Sequence, residues 1–300
     1  MLDLERLRAL HSVATYGSVS AAADVLHVTT SAVSQQLAKL ERETGQKLLE
    51  RNGRGVRLTD AAELLVEHAE HILSLVERAQ ADLEAHRGAV VGRLTLGAFA
   101  TAVRGLVPET LGRLGKDHPD LRVQVRELDP MQSMPLVARG DLDMAVVQDW
   151  NNEPLPVPEG LQKAQIFDDV ADVALPGDHP LANRATVALQ DLVADPWISS
   201  SADSICCDWL IHTLRSLGAE PNIAHMAYEI PSQLVLVGAG LGNAILPRLG
   251  RVTVPCEVAI AETRPQLTRH VYAVWREEAA RRPAIRAALT ALRAAAVPAR

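Results

Sequence analysis

Residues 18–58, SVSAAADVLHVTTSAVSQQLAKLERETGQKLLERNGRGVRL, decide how the chain begins to fold. A short Ala-rich segment (Ala21, Ala22, Ala23, with Val25 and Leu26) precedes a polar break, and a second segment opens at Thr29-Thr30-Ser31. Thr29 suits a helix N-cap, because its hydroxyl can accept from an amide that the helix start leaves unpaired. Beyond it Val33, Leu37 and Leu40 recur at helical spacing and predict a core-facing stripe. Thr30, Ser31, Ser34, Gln35 and Ala38 fall on the opposite side. That side is short, polar and free of carboxylates, which suits an element lying in a DNA major groove. Ser, Thr and Gln can bond base edges or phosphates there, and Ala38 permits close approach. An ordinary solvated helix face has the same look, so the stripe alone does not decide.

The residues that follow do. Arg51-Asn52-Gly53-Arg54-Gly55-Val56-Arg57 sets three arginines around an Asn-Gly pair and a further glycine, the composition of a tight hairpin. A basic hairpin directly after such a helix suits a wing on the phosphate backbone. The run GSVSAAADVLHVTTSAVSQQLAKLERETGQKLLERNGRGVRLTDAAELL resembles the winged helix-turn-helix signature of the LysR-type transcriptional regulators, over about a sixth of the chain. The resemblance implies double-stranded DNA as a partner. Thr30, Ser31, Ser34 and Gln35 would read bases, Ser18 and Thr29 would sit at the same surface, and Arg51 and Arg54 would hold phosphates.

Three hundred residues are enough for about two domains with buried cores. A hydrophobic content of 48% argues against disorder. No apolar run approaches the ~18 residues that a membrane span requires. The start, MLDLERLRALHSV, lacks the apolar stretch of a signal peptide, so a cytoplasmic protein is expected. The net charge of −7 is unevenly spread: residues 1–58 carry +2, leaving −9 on the rest. The acidic remainder discourages loose DNA contact, and DNA affinity should depend strongly on salt.

Residues 3–16 read as a first helix, with Leu4, Leu7, Leu10, Val13 and Ala14 on one face and a break at Gly17-Ser18. After the hairpin, Thr59 and Asp60 can cap a long helix reaching about Arg87. Its apolar positions Leu65, Ala69, Ile72, Val76, Ala79 and Leu83 are spaced 4, 3, 4, 3, 4, an a/d seam. Such a seam wants a cover, either the chain's own domain or a second helix. The expectation is an intermolecular pair, a homodimer presenting two reading heads to twofold half-sites. Three regions follow: 1–58, a winged helix-turn-helix; 59–87, a linker and dimerisation helix; 88–300, an effector domain.

From His86-Arg87-Gly88-Ala89 onward strands and helices alternate. Strands are predicted at 91–97, 121–126 and 144–147, with helices to about Lys116 and over Gln132–Arg139. This order implies parallel pairing with helices on both faces. Residues 148–165, with three prolines, read as a crossing segment. A second set then runs through strands at 170–175, 197–198, 222–228 and 244–246, with helices at 204–217 and 232–237. The strand at 271–275 and the helix at 283–296 finish the chain. The fold class expected is therefore a multidomain α/β chain. Its C-terminal part resembles two-lobed periplasmic-type binding domains. By that resemblance the chain crosses back near 261–268, giving lobe one about 91–160 and 266–300 and lobe two about 161–265.

In open α/β sheets ligands bind beyond the carboxyl ends of strands, near helix N-termini. Phe99-Ala100-Thr101, Leu128-Asp129-Pro130 and Ser199-Ser200-Ser201 qualify, although each serine could equally be a helix cap. The family resemblance implies effector contacts at Thr101, Asp129, Ser200 and Ile230 or their neighbours. Asp129 departs from the neutral hydroxyl that many anion-binding relatives place there. A carboxylate in the cleft disfavours a purely anionic effector, and leaves an amine or a neutral molecule as open as an acid.

Cys206, Cys207 and Cys256 cannot make a disulfide framework. Buried small residues are the expected reading, and a redox-sensing regulator acting through Cys206/Cys207 is the alternative. No GxSxG elbow, HExxH, phosphate loop or dinucleotide fingerprint occurs, so no enzyme, cofactor or metal is expected, His68 and His71 lacking further ligands. A solute-binding transport protein is disfavoured by the N-terminal motif. The reading is a transcriptional regulator controlled by a small-molecule effector. Family resemblance further implies a homotetramer of paired dimers and admits RNA polymerase as a partner.

Overall fold

The computed structural model describes residues 2–52, 55–202 and 204–296. The chain divides into two compact units, at His86/Arg87.

In the first unit α1 (Leu4–Tyr16) starts at Asp3, whose carboxylate accepts from the amides of Glu5 and Arg6, and stops at Gly17, φ 71°. Helix α2 (Val19–Val25) is capped by Ser18, and α3 (Thr30–Thr44) by Thr29, as its hydroxyl predicts. Between them His27 takes a left-handed φ of 54°, which turns the chain sharply. Strands β1 (Leu49–Asn52) and β2 (Gly55–Leu58) pair antiparallel as a hairpin. Thr59 then caps α4 (Asp60–Arg87), accepting from Ala62 N at 3.2 Å while donating to the Lys47 carbonyl at 2.7 Å. The core takes Leu7, Leu10 and Val13 from α1, Ala22 and Ala23 from α2, and Val33, Leu37 and Leu40 from α3.

Helix α4 corrects the expectation of one uniform seam. Ala62 and Ala69 are buried in this same core, and Leu65 and Ile72 pack against it. The first half of the heptad stripe is thus covered by the chain's own domain. Val76 is half-buried, whereas Ala79 and Leu83 are exposed. Leu64 and Leu75, outside the predicted seam, are also exposed, and they lie eleven residues, about three turns, apart on one stripe.

The second unit opens with β3 (Gly92–Ala98), α5 (Ala100–Gly105), α6 (Val107–Asp117), β4 (Leu121–Glu127), α7 (Pro130–Arg139) and β5 (Met144–Trp150). Strand β3 pairs parallel with both β4 and β5, the arrangement that the alternating order predicts. Next come β6 (Leu161–Pro176), β7 (Thr186–Ala188), β8 (Pro196–Ser199), α8 (Ile205–Ser216), β9 (Asn222–Met226) and α9 (Ile230–Gly238). Strands β10 (Ala244–Pro247), β11 (Val258–Arg264) and β12 (Leu267–Arg276) and helix α10 (Pro283–Ala296) complete it. The main sheet runs β4-β3-β5-β12-β6-β11-β7, with β10 also on β6, while β8 pairs parallel with β9.

Two expectations are corrected here. The presumed crossing segment contains a strand: β6 is one 16-residue ladder from Leu161. Its first half, Leu161–Phe167, pairs with Val271–Arg276 in the first sheet region, and its last six residues pair with β10 and β11. The expected boundary at about 160/161 thus falls at the start of this strand, whose two halves then pair in different regions of the sheet. Strands β7 and β11 were not foreseen. Among the described residues no helix is long and apolar enough to cross a membrane.

Candidate functional site

On α3 the two faces separate as the spacing requires. Val33, Leu37 and Leu40 are buried, and Thr30, Ser31, Ser34, Gln35 and Ala38 are exposed. The Ser34 hydroxyl donates to the Thr30 carbonyl at 2.9 Å, so its lone pairs stay open to an outside donor. Ser18 Oγ and Thr29 Oγ1 each accept a capping amide, from Ala21 at 3.1 Å and Ala32 at 3.2 Å. Their first duty is to start helices, which leaves each a hydroxyl hydrogen for a phosphate. Lys39 and Arg42, exposed on the same helix, extend the polar face with positive charge and were missed by the sequence reading. Arg51 lies in β1, and Arg54 lies outside the described residues.

Glu41, also on α3, faces inward to the hairpin. Burial opposes its ionisation, but the amides of Leu48 and Leu49 and the ammonium of Lys47 hold its carboxyl below the usual range. One acidic residue thereby fixes the start of the hairpin to α3.

In the second unit a cleft, partly open to solvent, lies where β3, β4 and β8 end. Phe99, Ala100, Thr101, Asp129, Ser199, Ser200 and Ile230 all line it. Ser201 does not: its carbonyl accepts from Ser204 Oγ at 2.7 Å and closes the turn ahead of α8. Asp129 is the N-cap of α7, one oxygen accepting from Met131 N at 3.1 Å. Burial raises its pKa against the pull of that amide.

The floor of the cleft is a residue that no local pattern announces. Arg269, on β12, is 1% exposed. Its Nε donates to Asp169 Oδ2 at 2.8 Å, Nη1 to Gln148 Oε1 at 2.5 Å and Nη2 to Thr101 Oγ1 at 2.8 Å. Its guanidinium also lies 5.2 Å from the centre of the Phe99 ring. Gln148 passes the connection on, donating from Nε2 to Cys206 Sγ at 3.2 Å. A wall is formed by Trp150 and Trp209, stacked with centroids 3.8 Å apart and planes 13° from parallel. Trp209 Nε1 is held by Asn152 Oδ1 at 2.7 Å.

Of the three cysteines, Cys207 is buried, Cys256 exposed, and Cys206 lines the cleft. Burial pushes the Cys206 thiol up, against the opposing influence of Arg269 and Gln148. The thiolate is the nucleophilic form, so this setting does not favour a reactive sulfur.

A winged helix-turn-helix followed along the chain by a cleft-bearing α/β unit defines a ligand-responsive, DNA-binding transcriptional regulator. Residues 4–63 match the family model described as bacterial regulatory helix-turn-helix protein, lysR family, and residues 87–297 match the LysR substrate binding domain. The chain belongs to the LysR family. The HTH-type transcriptional regulator YnfL of Escherichia coli is 31% identical over 250 residues, 82% of each protein. Among solved structures, full-length OxyR of Pseudomonas aeruginosa superposes with a TM-score of 0.69 at 23% identity, covering 98% of both chains. Full-length CbnR in complex with its target DNA gives a TM-score of 0.56 at 24% identity, covering 99% of this chain and 100% of that one. These two likenesses bear on the fold.

Proposed function

We propose that this regulator reads DNA with Thr30, Ser31, Ser34 and Gln35 in the major groove, aided by Ser18, Thr29, Arg51 and Arg54 at the backbone, and that a small molecule in the cleft controls it. The observation that carries the DNA reading is the exposed, carboxylate-free face of α3 opposite a fully buried apolar stripe. The cleft reading rests on Thr101, Asp129 and Ser200 converging from separate strand ends around one cavity. It acts by binding and not by catalysis, in the cytoplasm, as a dimer through the exposed part of α4 and as a tetramer of such dimers. An effector changes DNA binding only through unequal affinity for two arrangements of the protein.

A gel shift on the DNA upstream of its own gene tests the first half. Binding should fall as salt rises, and Ser34→Glu should abolish it by placing a carboxylate against phosphates. Retained binding in that variant would reassign the reading face. A thermal-shift screen of small metabolites tests the second half. Redox control through Cys206 is the weaker reading, and diamide-dependent DNA binding that Cys206→Ser removes would restore it.

A further inference from the structure

Two charged groups on the cleft wall make no ion pair among the described residues, and their surroundings are unequal. Asp129 is half-buried; beyond the Met131 amide, among the described residues its carboxylate takes no hydrogen bond and no ion pair. Arg104 is exposed. Its Nε donates to the Gly250 carbonyl at 3.2 Å, and among the described residues its terminal nitrogens take no hydrogen bond. The remaining cation of the wall, Arg269, is already neutralised by Asp169.

The asymmetry decides which ligand charge fits. An effector that fills the cleft removes water from Asp129, and an uncompensated carboxylate in such a place is costly. Arg104 keeps its access to solvent and can go unpaired at little cost. A purely anionic ligand would aggravate the first problem to relieve the second. Burial and then the negative charges of Asp129, Glu127 and Glu229 disfavour ionisation of the Tyr228 hydroxyl, so this side of the mouth is acidic. The exposed ring of Tyr228 adds an aromatic surface of the kind that attracts organic cations.

We propose that the effector carries an ammonium group that pairs with Asp129, and that a carboxylate on the same molecule, as in an α-amino acid, meets Arg104. The proposal rests on the cleft being the effector site. It makes Asp129 the residue that selects the ligand's charge and leaves Arg104 to refine it.

Binding to the full-length protein is measured by thermal shift and calorimetry with three matched sets of probes. These are the standard α-amino acids, the amines that lack their carboxylate, and the acids that lack their ammonium. A binder is expected among the first two sets, weakened about tenfold or more by Asp129→Asn, the loss of one charge-assisted contact. Asparagine caps helices as well as aspartate does, so this variant keeps the start of α7, and its ligand-free melting temperature should match the parent's. Arg104→Gln should weaken amino acids and leave the simple amines unchanged. Binding confined to the acids, or an ammonium binder indifferent to Asp129→Asn, overturns the proposal. Silence from all three sets overturns it too. If a broader library of neutral and anionic metabolites then gives a cleft binder, the effector reading survives; if that library is silent as well, the effector reading falls with it.

Discussion

Arg269 and Asp169, a hundred residues apart in sequence, meet as an ion pair almost wholly excluded from solvent, with Nε 2.8 Å and Nη2 2.7 Å from Asp169 Oδ2. The other carboxylate oxygen accepts from Leu249 N at 2.9 Å. Removing one member of such a pair leaves the other as an uncompensated buried charge. Asp169→Asn should therefore cost about 3–5 kcal/mol, measured by urea denaturation, and Arg269→Met a comparable amount. Replacing both by apolar residues should recover part of the loss. A single substitution that costs under about 1 kcal/mol would show the pair to be better solvated than its burial implies.

This pair also marks where the sequence stops being readable. The helices were legible because their stripes are local: Val33, Leu37 and Leu40 need only the 3.6-residue period, and Thr29 advertises its cap by hydroxyl alone. Residues 99–101, 129 and 199–200 could be placed at the cleft because strand ends are legible in the same way. Arg269 was not, since its partners lie 100, 121 and 168 residues away. Strand β6 was hidden for another reason. Gln162–Asp168 is partly open to solvent, whereas Ala171–Pro176 is buried throughout, so one strand carries two patterns. The prolines before it shifted the reading towards a loop.

Close backbone contact joins α5 to the loop at Gly250. A Cβ on Gly105 would stand 2.5 Å from Gly250 N, and one on Gly250, at φ +60°, would strike the Thr101 carbonyl. Gly250→Ala should destabilise the second unit by about 2 kcal/mol or more, combining steric conflict with a left-handed backbone. Because Thr101 and Arg104 flank the contact, ligand affinity in the cleft should drop with it. Unchanged melting in this variant would mean that the loop moves aside at little cost.

Asp172 supplies a pH test. Burial works against its ionisation, but Arg248 and Arg251 outweigh it and hold its carboxyl below the usual range. A carboxyl with a lower pKa folded than unfolded adds stability above the unfolded value, about 3.9, and loses it as pH falls through the folded value. Asp172→Asn should thus cost about 2 kcal/mol near neutrality. The gap between parent and variant should narrow as the pH is lowered from about 4. A gap that stays constant into that acid range would assign the loss to packing.

Helix α4 separates two roles that its heptad pattern merges. Leu65 packs against the winged domain's own core, whereas Leu75 and Leu83 are each 66% exposed. Leu65→Asp should destabilise the first unit by roughly 2–3 kcal/mol, because it drives a carboxylate towards an apolar cluster. Leu75→Asp removes no contact in that core and should leave the unit's melting unchanged. If the exposed stripe pairs with a second copy, the same variant places like charges across the pair and should shift the protein to monomers by sedimentation. DNA binding should then weaken, because one reading head no longer brings the other to its half-site. A Leu75→Asp protein that remains dimeric and binds DNA normally would move the dimer interface off this stripe, while the Leu65→Asp result would still stand as a measure of the domain's core.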